Sequence, residues 1–117
     1  MSSTVILHNP RCSKSRQTLA LLEEKGIAPQ VIEYLKTPLS VDELNDVFKK
    51  LNLESVRQMM RTKEQEYKNA NLADTALSDN DLFAAMAATP KLMERPIVIT
   101  ESQARIGRPP ESVLEII

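Results

Sequence analysis

The only cysteine of this chain, Cys12, lies between a short apolar run and a stretch with helical spacing. The run Val5-Ile6-Leu7 shows no alternation with polar residues, which indicates a short buried strand. Cys12 is therefore expected at the start of the first helix, where unpaired N–H groups and the helix dipole favour the thiolate. The same N–H groups can hold an oxyanion. The order strand, cysteine, helix thus predicts a reactive sulfur beside an anion site.

The composition excludes several classes of protein. The 117 residues, of which 42% are apolar, suit one domain over 1–117. Lys and Arg total 15 and Asp and Glu total 16, so the basic excess typical of a nucleic-acid binder is missing. No run approaches the roughly 20 apolar residues of a membrane span. A lone cysteine forms no internal disulfide, so we expect a cytoplasmic protein, and a monomer, since no long apolar surface stripe is left unassigned.

The first third of the chain predicts a parallel βαβ unit. One strand is expected over Thr4 to Leu7 and a second over Val31 to Leu35, and the helix between them ends near Gly26. Such a connection is right-handed in almost all proteins. Four residues of this helix fall on one face: Ser15, Thr18, Leu19 and Leu22.

The segment from about residue 40 to 90 predicts helices only. Three pairs of residues have the spacing of a helix cap, namely Ser40 with Glu43, Thr62 with Gln65, and Ser78 with Asp81. Apolar residues then follow at helical spacing, and a short turn or helix is expected between the first two caps.

The last part of the chain predicts a hairpin and a final helix. Its strands are expected over Ile97 to Thr100 and Gln103 to Ile106, with Gly107 as the break. Pro109 and Pro110 suit the first turn of the helix. Three of its residues are expected to pack inward: Val113, Leu114 and Ile117. The whole order predicts an α/β fold of thioredoxin or glutaredoxin type, with a four-stranded mixed sheet and a helical insertion between the βαβ and ββα halves.

Polar neighbours distinguish Cys12 from an inert buried thiol. Most free cysteines pack as small apolar residues, yet no apolar side chain lies within three positions after Cys12. A dithiol enzyme would carry a second cysteine at position 15, which is Ser15. A phosphatase-like loop would carry arginine at position 18, which is Thr18. Any redox cycle of Cys12 therefore needs an external thiol, such as glutathione or a glutaredoxin.

Two arginines stand at breaks in the predicted structure. Arg95 precedes Pro96 at the start of a strand, where a cis proline would direct it toward the loop of Cys12. Arg108 follows Gly107 at the end of the hairpin. Each could be an ordinary surface charge, but the guanidinium fork matches tetrahedral oxyanions.

His8 and Asn9 complete the loop before Cys12. His8 is the only histidine, which excludes a multi-histidine metal site, and we predict no metal. It either closes the first strand or carries a proton beside the thiol. Asn9 is expected to hydrogen-bond the loop backbone and hold its shape.

Four separated segments resemble the glutaredoxin-coupled arsenate reductase family. They run through nearly the whole chain in the family's order: His8-Asn9-Pro10-x-Cys12-x-x-Ser15-Arg16-x-Thr18-Leu19, Met60-Arg61-Thr62-Lys63-Glu64, Leu92-Met93-Glu94-Arg95-Pro96-Ile97-Val98 and Ile106-Gly107-Arg108-Pro109-Pro110-Glu111. The resemblance implies a thioredoxin-like fold with Cys12 as the nucleophile. It implies that Arg61, Arg95 and Arg108 bind the oxyanion. We place Ser15 with them as a substrate-binding residue, and His8, Asn9 and Pro96 as supporting residues.

The resemblance also implies reduction of arsenate to arsenite through a Cys12 adduct. Glutathione and a glutaredoxin would be external reductants, with no bound cofactor. Two other functions remain open. The chain could be a monothiol, glutathione-linked oxidoreductase, or a non-catalytic regulator of the Spx type that binds RNA polymerase. Ser15 stands where a second cysteine would complete the disulfide switch of such regulators, which argues against the last.

Overall fold

The computed structural model describes residues 4–117, which form a four-stranded sheet with helices on both faces. The strands are β1 (Val5–Leu7), β2 (Gln30–Ile32), β3 (Ile97–Ile99) and β4 (Ala104–Ile106). Their order in the sheet is β2-β1-β3-β4. β1 runs parallel to β2 and antiparallel to β3, and β3 pairs antiparallel with β4. The predicted four-stranded mixed sheet is therefore confirmed. Within these residues no helix is long and apolar enough to cross a membrane.

One face of the sheet is covered by α1 (Ser13–Glu24) and by a C-terminal 3₁₀ helix, Pro110–Ile116. α1 connects β1 to β2 and stops before Gly26, which has the positive φ of 79° that a helix C-terminus favours. Four fully buried side chains form the smaller core of the molecule on this face: Ile6, Leu22, Val98 and Val113.

The other face is covered by the helices between β2 and β3. They are α2 (Val41–Leu51), α3 (Gln65–Asn69) and α4 (Asp79–Ala88), with 3₁₀ turns over Val56–Met59 and Pro90–Leu92. The predicted capping boxes of Ser40 with Glu43 and of Ser78 with Asp81 are both present. Their side chains satisfy backbone N–H groups that the first helical turn leaves unpaired.

The strands supply both cores because successive residues point to opposite faces. Leu7 and Ile97 belong to the larger core beneath the inserted helices, whereas their neighbours Ile6 and Val98 belong to the smaller core beneath α1. This explains why the apolar runs of β1 and β3 show no alternation in sequence.

Three predicted details are wrong. The second strand is Gln30–Ile32 rather than Val31 to Leu35, because β1 offers it only three partners, Val5–Leu7. The chain turns after it, and the N–H groups of Lys36 and Thr37 donate to the carbonyl of Glu33.

Thr62 does not cap α3. The residue before that helix is Glu64, which makes no side-chain cap and pairs instead with Arg61.

The last helix is a 3₁₀ helix and not an α-helix, which changes the residues on its inner face. Three residues per turn place positions i and i+3 on one side. Ile116 therefore packs with the smaller core beside Val113, and Ile117, which was expected to pack inward, is 42% exposed.

Gly107 lies where α1, the start of β3 and the end of β4 come closest. A Cβ atom at this position would lie 2.7 Å from Thr18 Oγ1 and 2.8 Å from Pro96 Cγ. The Gly107 N–H also donates to the Pro96 carbonyl at 2.8 Å. Any larger residue at position 107 would force one of these neighbours to shift.

The substitution Gly107→Ala should lower the free energy of unfolding by about 1–3 kcal/mol, because it overpacks a close contact. Chemical denaturation measures this loss. Thr18→Ala should cost less in the Gly107→Ala background than in the wild type, because it removes one side of the clash. An unchanged stability of Gly107→Ala would contradict this account of the contact.

Candidate active site

Cys12 is the N-cap residue of α1, and the loop before it is held by Asn9. The Asn9 carbonyl accepts the Cys12 N–H at 3.0 Å, and its side-chain Oδ1 accepts the Arg11 N–H at 3.0 Å. The sulfur makes no capping hydrogen bond of regular geometry. It is half-buried and forms no disulfide, so it stays available to a small reactant.

Opposing effects act on the ionisation of Cys12. Burial raises the pKa of the thiol, but four groups together outweigh it: the N–H of Ser15, the guanidinium of Arg95, the N–H of Lys14 and the guanidinium of Arg108. The pKa of Cys12 therefore lies below its usual value. The helix start and two distant arginines thus enlarge the thiolate fraction at neutral pH.

An open cavity of about 410 Å³ brings the three predicted arginines together. Its lining residues are Arg61, Thr62, Lys63, Glu64, Glu94, Arg95 and Arg108. Arg95 and Arg108 line this cavity and also lower the pKa of the Cys12 thiol, so the cavity and the thiol share two cations. Arg61 lines the same cavity, but its charge is not among the largest influences on the pKa of the thiol.

The three arginines differ in how far their donors are occupied. Arg61 Nη2 lies 2.7 Å from Glu64 Oε1. Arg108 Nε donates to the Arg95 carbonyl at 3.0 Å and lies 3.4 Å from Glu94 Oε2. Arg95 Nε is buried and has no hydrogen-bond partner among residues 4–117. Buried donors are rarely left unpaired, so the Nε of Arg95 differs from the paired donors of Arg61 and Arg108.

A short backbone pairing joins the segment that carries Arg61 to the segment that carries Arg95. Met60 and Met93, both buried, form an isolated antiparallel bridge. On either side of it, Arg61 N–H donates to the Leu92 carbonyl at 2.6 Å and Glu94 N–H donates to the Met59 carbonyl at 2.8 Å. The inserted segment is thereby fixed to the residues that precede β3. The sequence pattern gave no signal for this pairing.

Ser15 lies behind the loop and not in the cavity. It is fully buried, its Oγ is 2.6 Å from His8 Nδ1, and it accepts the Asn9 N–H at 3.0 Å. The structure therefore gives the Ser15 hydroxyl a role in holding the loop. The expected direct contact with substrate has no support in this geometry.

His8 is buried at the end of β1, where its backbone N–H donates to the Ile32 carbonyl. Burial lowers the pKa of His8, and the nearby Arg16 adds to this effect against the carboxylate of Glu33. The ring is thus mostly neutral at neutral pH and supports the loop through Ser15.

Tyr34 is a site residue that sequence reasoning missed. It is 1% exposed, and burial raises the pKa of its phenol to about 12, although Arg95 and Arg61 act against this rise. The ring therefore stays neutral beside these two cations. The pattern had placed Tyr34 inside a strand, where nothing distinguished it from a packing residue.

The peptide bonds of Arg95 with Pro96 and of Arg108 with Pro109 are both cis. The first agrees with the orientation expected for Arg95.

A second cavity of about 410 Å³ lies at the opposite end of the central strands, near Thr4 and Thr100. The described residues that line it include no arginine, lysine or cysteine, so it lacks the chemistry of the first.

The mixed sheet, the cysteine at a helix start and the cavity lined by three arginines define a protein of the thioredoxin-like class. The model of the ArsC family matches residues 7–116. This chain belongs to the ArsC family.

Individual relatives support this assignment over nearly the whole chain. A protein named arsenate reductase from Haemophilus influenzae is 56% identical over 115 residues, which cover 98% of this chain and 99% of that protein. An uncharacterized protein of Escherichia coli K12, YfgD, is 57% identical over 96% of this chain and 94% of its own length. The solved structure of an arsenate reductase from Vibrio cholerae has a TM-score of 0.97 and 64% identity, and 98% of each chain is covered.

The substitution Arg95→Ala should raise the pKa of Cys12, because Arg95 is the side chain that lowers it most. The pH dependence of alkylation by iodoacetamide measures this, since only the thiolate reacts. The midpoint should move to higher pH in Arg95→Ala and stay near its wild-type position in Arg61→Ala. Equal midpoints in wild type and Arg95→Ala would show that Arg95 does not act on the thiol.

Proposed function

We propose that this protein is an arsenate reductase in which Cys12 forms a covalent adduct with arsenate. One observation carries the proposal: Arg95 and Arg108 both favour the Cys12 thiolate and both line the cavity that Arg61 completes. A nucleophile and an oxyanion site therefore share the same cations. The names of the relatives from Haemophilus influenzae and Vibrio cholerae support arsenate as the substrate.

Arsenate binding is assigned to the arginines. Guanidinium groups match tetrahedral oxyanions through paired N–H donors and stay charged at all relevant pH values. Arg95 offers its unpaired Nε first. Arg61 and Arg108 reorient from their carboxylate partners Glu64 and Glu94 toward the anion.

In the first chemical step the Cys12 thiolate attacks arsenic(V). A sulfur–arsenic bond forms, and one arsenate oxygen takes up protons and leaves as water. Arsenic keeps its oxidation state in this step. The arginines and the N–H groups of Lys14 and Ser15 hold the negative charge, and such preset donors are usually the largest contribution to the rate.

The second step needs a thiol from outside the chain, because Cys12 is the only cysteine. We assign this role to glutathione, whose thiolate attacks the Cys12 sulfur of the adduct. A disulfide between glutathione and Cys12 forms, and the electron pair of the sulfur–arsenic bond reduces arsenic(V) to arsenic(III), which leaves as arsenite. A glutaredoxin thiolate then attacks the glutathione sulfur of this disulfide. A disulfide between glutathione and glutaredoxin forms, and the Cys12 thiolate is restored. This cycle needs no resident cofactor and suits the reducing cytoplasm.

A coupled assay tests the proposal by following NADPH oxidation with arsenate, glutathione, glutathione reductase and glutaredoxin. Cys12→Ser should abolish turnover. Arg95→Ala and Arg108→Ala should each lower it on the order of 10²- to 10³-fold, the typical cost of one oxyanion donor. Arg105→Ala is the matched control, because Arg105 lies on β4 and pairs with Glu115 away from the cavity.

Turnover by Cys12→Ser would disprove the adduct. Activity on a small glutathione mixed disulfide, without any arsenate-dependent activity, would instead indicate the monothiol oxidoreductase. Co-purification with RNA polymerase and neither activity would indicate a regulator.

A further inference from the structure

Two carboxylates and four cations line the cavity in which the three arginines would hold the oxyanion. The cations are Arg61, Lys63, Arg95 and Arg108, and the carboxylates are Glu64 and Glu94. The excess of two positive charges suits a dianion. Glu64 and Glu94 pair with Arg61 and Arg108, and each carboxylate would repel an anionic oxygen placed next to it.

Glu64 and Glu94 are held differently. Both oxygens of Glu64 face cations: Oε1 lies 2.7 Å from Arg61 and Oε2 lies 3.7 Å from Lys91. In the described part of the chain, the ion pair of Glu94 uses one oxygen, Oε2, at 3.4 Å from Arg108. Among the described residues, Oε1 of Glu94 therefore makes no ion pair and can accept a hydrogen bond from a ligand in the cavity, whereas both oxygens of Glu64 face cations.

An ionised carboxylate accepts hydrogen bonds and donates none. Arsenate and phosphate, as dianions in neutral solution, keep one proton on an oxygen, whereas sulfate keeps none. The three anions share a tetrahedral shape, and the two kinds of dianion share their charge. The proton is the difference that a carboxylate can recognise, because it turns one oxygen of the ligand into a donor.

We infer that Glu94 selects singly protonated tetrahedral oxyanions by accepting the O–H of the bound anion and repelling an anion without a proton. The inference rests on the proposed function, since it concerns the same cavity. A site that is built to bond a substrate O–H discriminates strongly against an analogue that lacks it. Glu94 is thus a specificity-determining residue, and sulfate is the dianion it rejects.

Phosphate and sulfate are the matched probes, since neither is turned over. Their dissociation constants follow from protection of Cys12 against alkylation, at mildly alkaline pH and fixed ionic strength because surface charges are screened by salt. Wild type should bind phosphate more tightly than sulfate on the order of tenfold, equivalent to about 1.4 kcal/mol.

Glu94→Gln should bring the two constants together, because an amide can donate to sulfate as well as accept from phosphate. A purely structural effect, such as the release of Arg108, would change both constants alike and leave their ratio unaltered. Glu64→Gln is the matched control: it removes the other carboxylate of the cavity and should keep the wild-type ratio.

Three results would overturn the inference: equal affinities in wild type, an unchanged ratio in Glu94→Gln, or an equal loss of preference in Glu64→Gln. The wild-type ratio decides even if Glu94→Gln proves unstable on thermal unfolding. Arsenate turnover with an unselective cavity would refute the role of Glu94 alone. A cavity in which phosphate, sulfate and arsenate all fail to protect Cys12 would refute the proposed function together with it.

Discussion

The close contact of Gly107 with Thr18 and Pro96 fixes how the two halves of the site meet. Thr18 lies on the helix that begins at Cys12, and Pro96 follows Arg95, so the contact joins the nucleophile to its principal cation. A larger residue would push these elements apart. Because the Coulomb interaction weakens with distance, a substitution that moved Arg95 away from Cys12 would weaken the effect of Arg95 on the thiol.

The electrostatics of the site are a balance and not a simple accumulation of positive charge. Burial opposes the thiolate, while N–H dipoles and two guanidinium groups favour it. Carboxylates pair with Arg61 and Arg108. Such pairing keeps the cations ordered and limits binding to ligands that compete well for them. Arg95, whose Nε has no partner in residues 4–117, is the exception.

Much of this architecture could be predicted from local sequence. Apolar runs locate β1 and β3, and Ser40 and Ser78 mark two helix starts. The position of Cys12 between an apolar run and a helical pattern predicts its place before α1. These features are predictable because the interactions behind them join residues within a few positions of one another. The βαβ connection also follows, since its handedness is nearly invariant.

Features that depend on distant contacts could not be predicted in this way. The Met60–Met93 bridge joins residues far apart in sequence. The raised pKa of Tyr34 results from its burial, which only the folded chain creates. Because the last helix is a 3₁₀ helix, Ile116 lies on its inner face where the sequence pattern predicted Ile117. Ser15 has the polarity of a ligand-binding residue, but the position of His8 directs its hydroxyl inward.

The Met60–Met93 bridge joins the segment between β2 and β3 to the residues just before β3. The sheet and α1 by themselves provide a thiol that is ready to react, and the helices between β2 and β3 bring in Arg61. The bridge therefore links the framework that holds the sulfur to a separate stretch of the chain that carries one of the three arginines of the cavity.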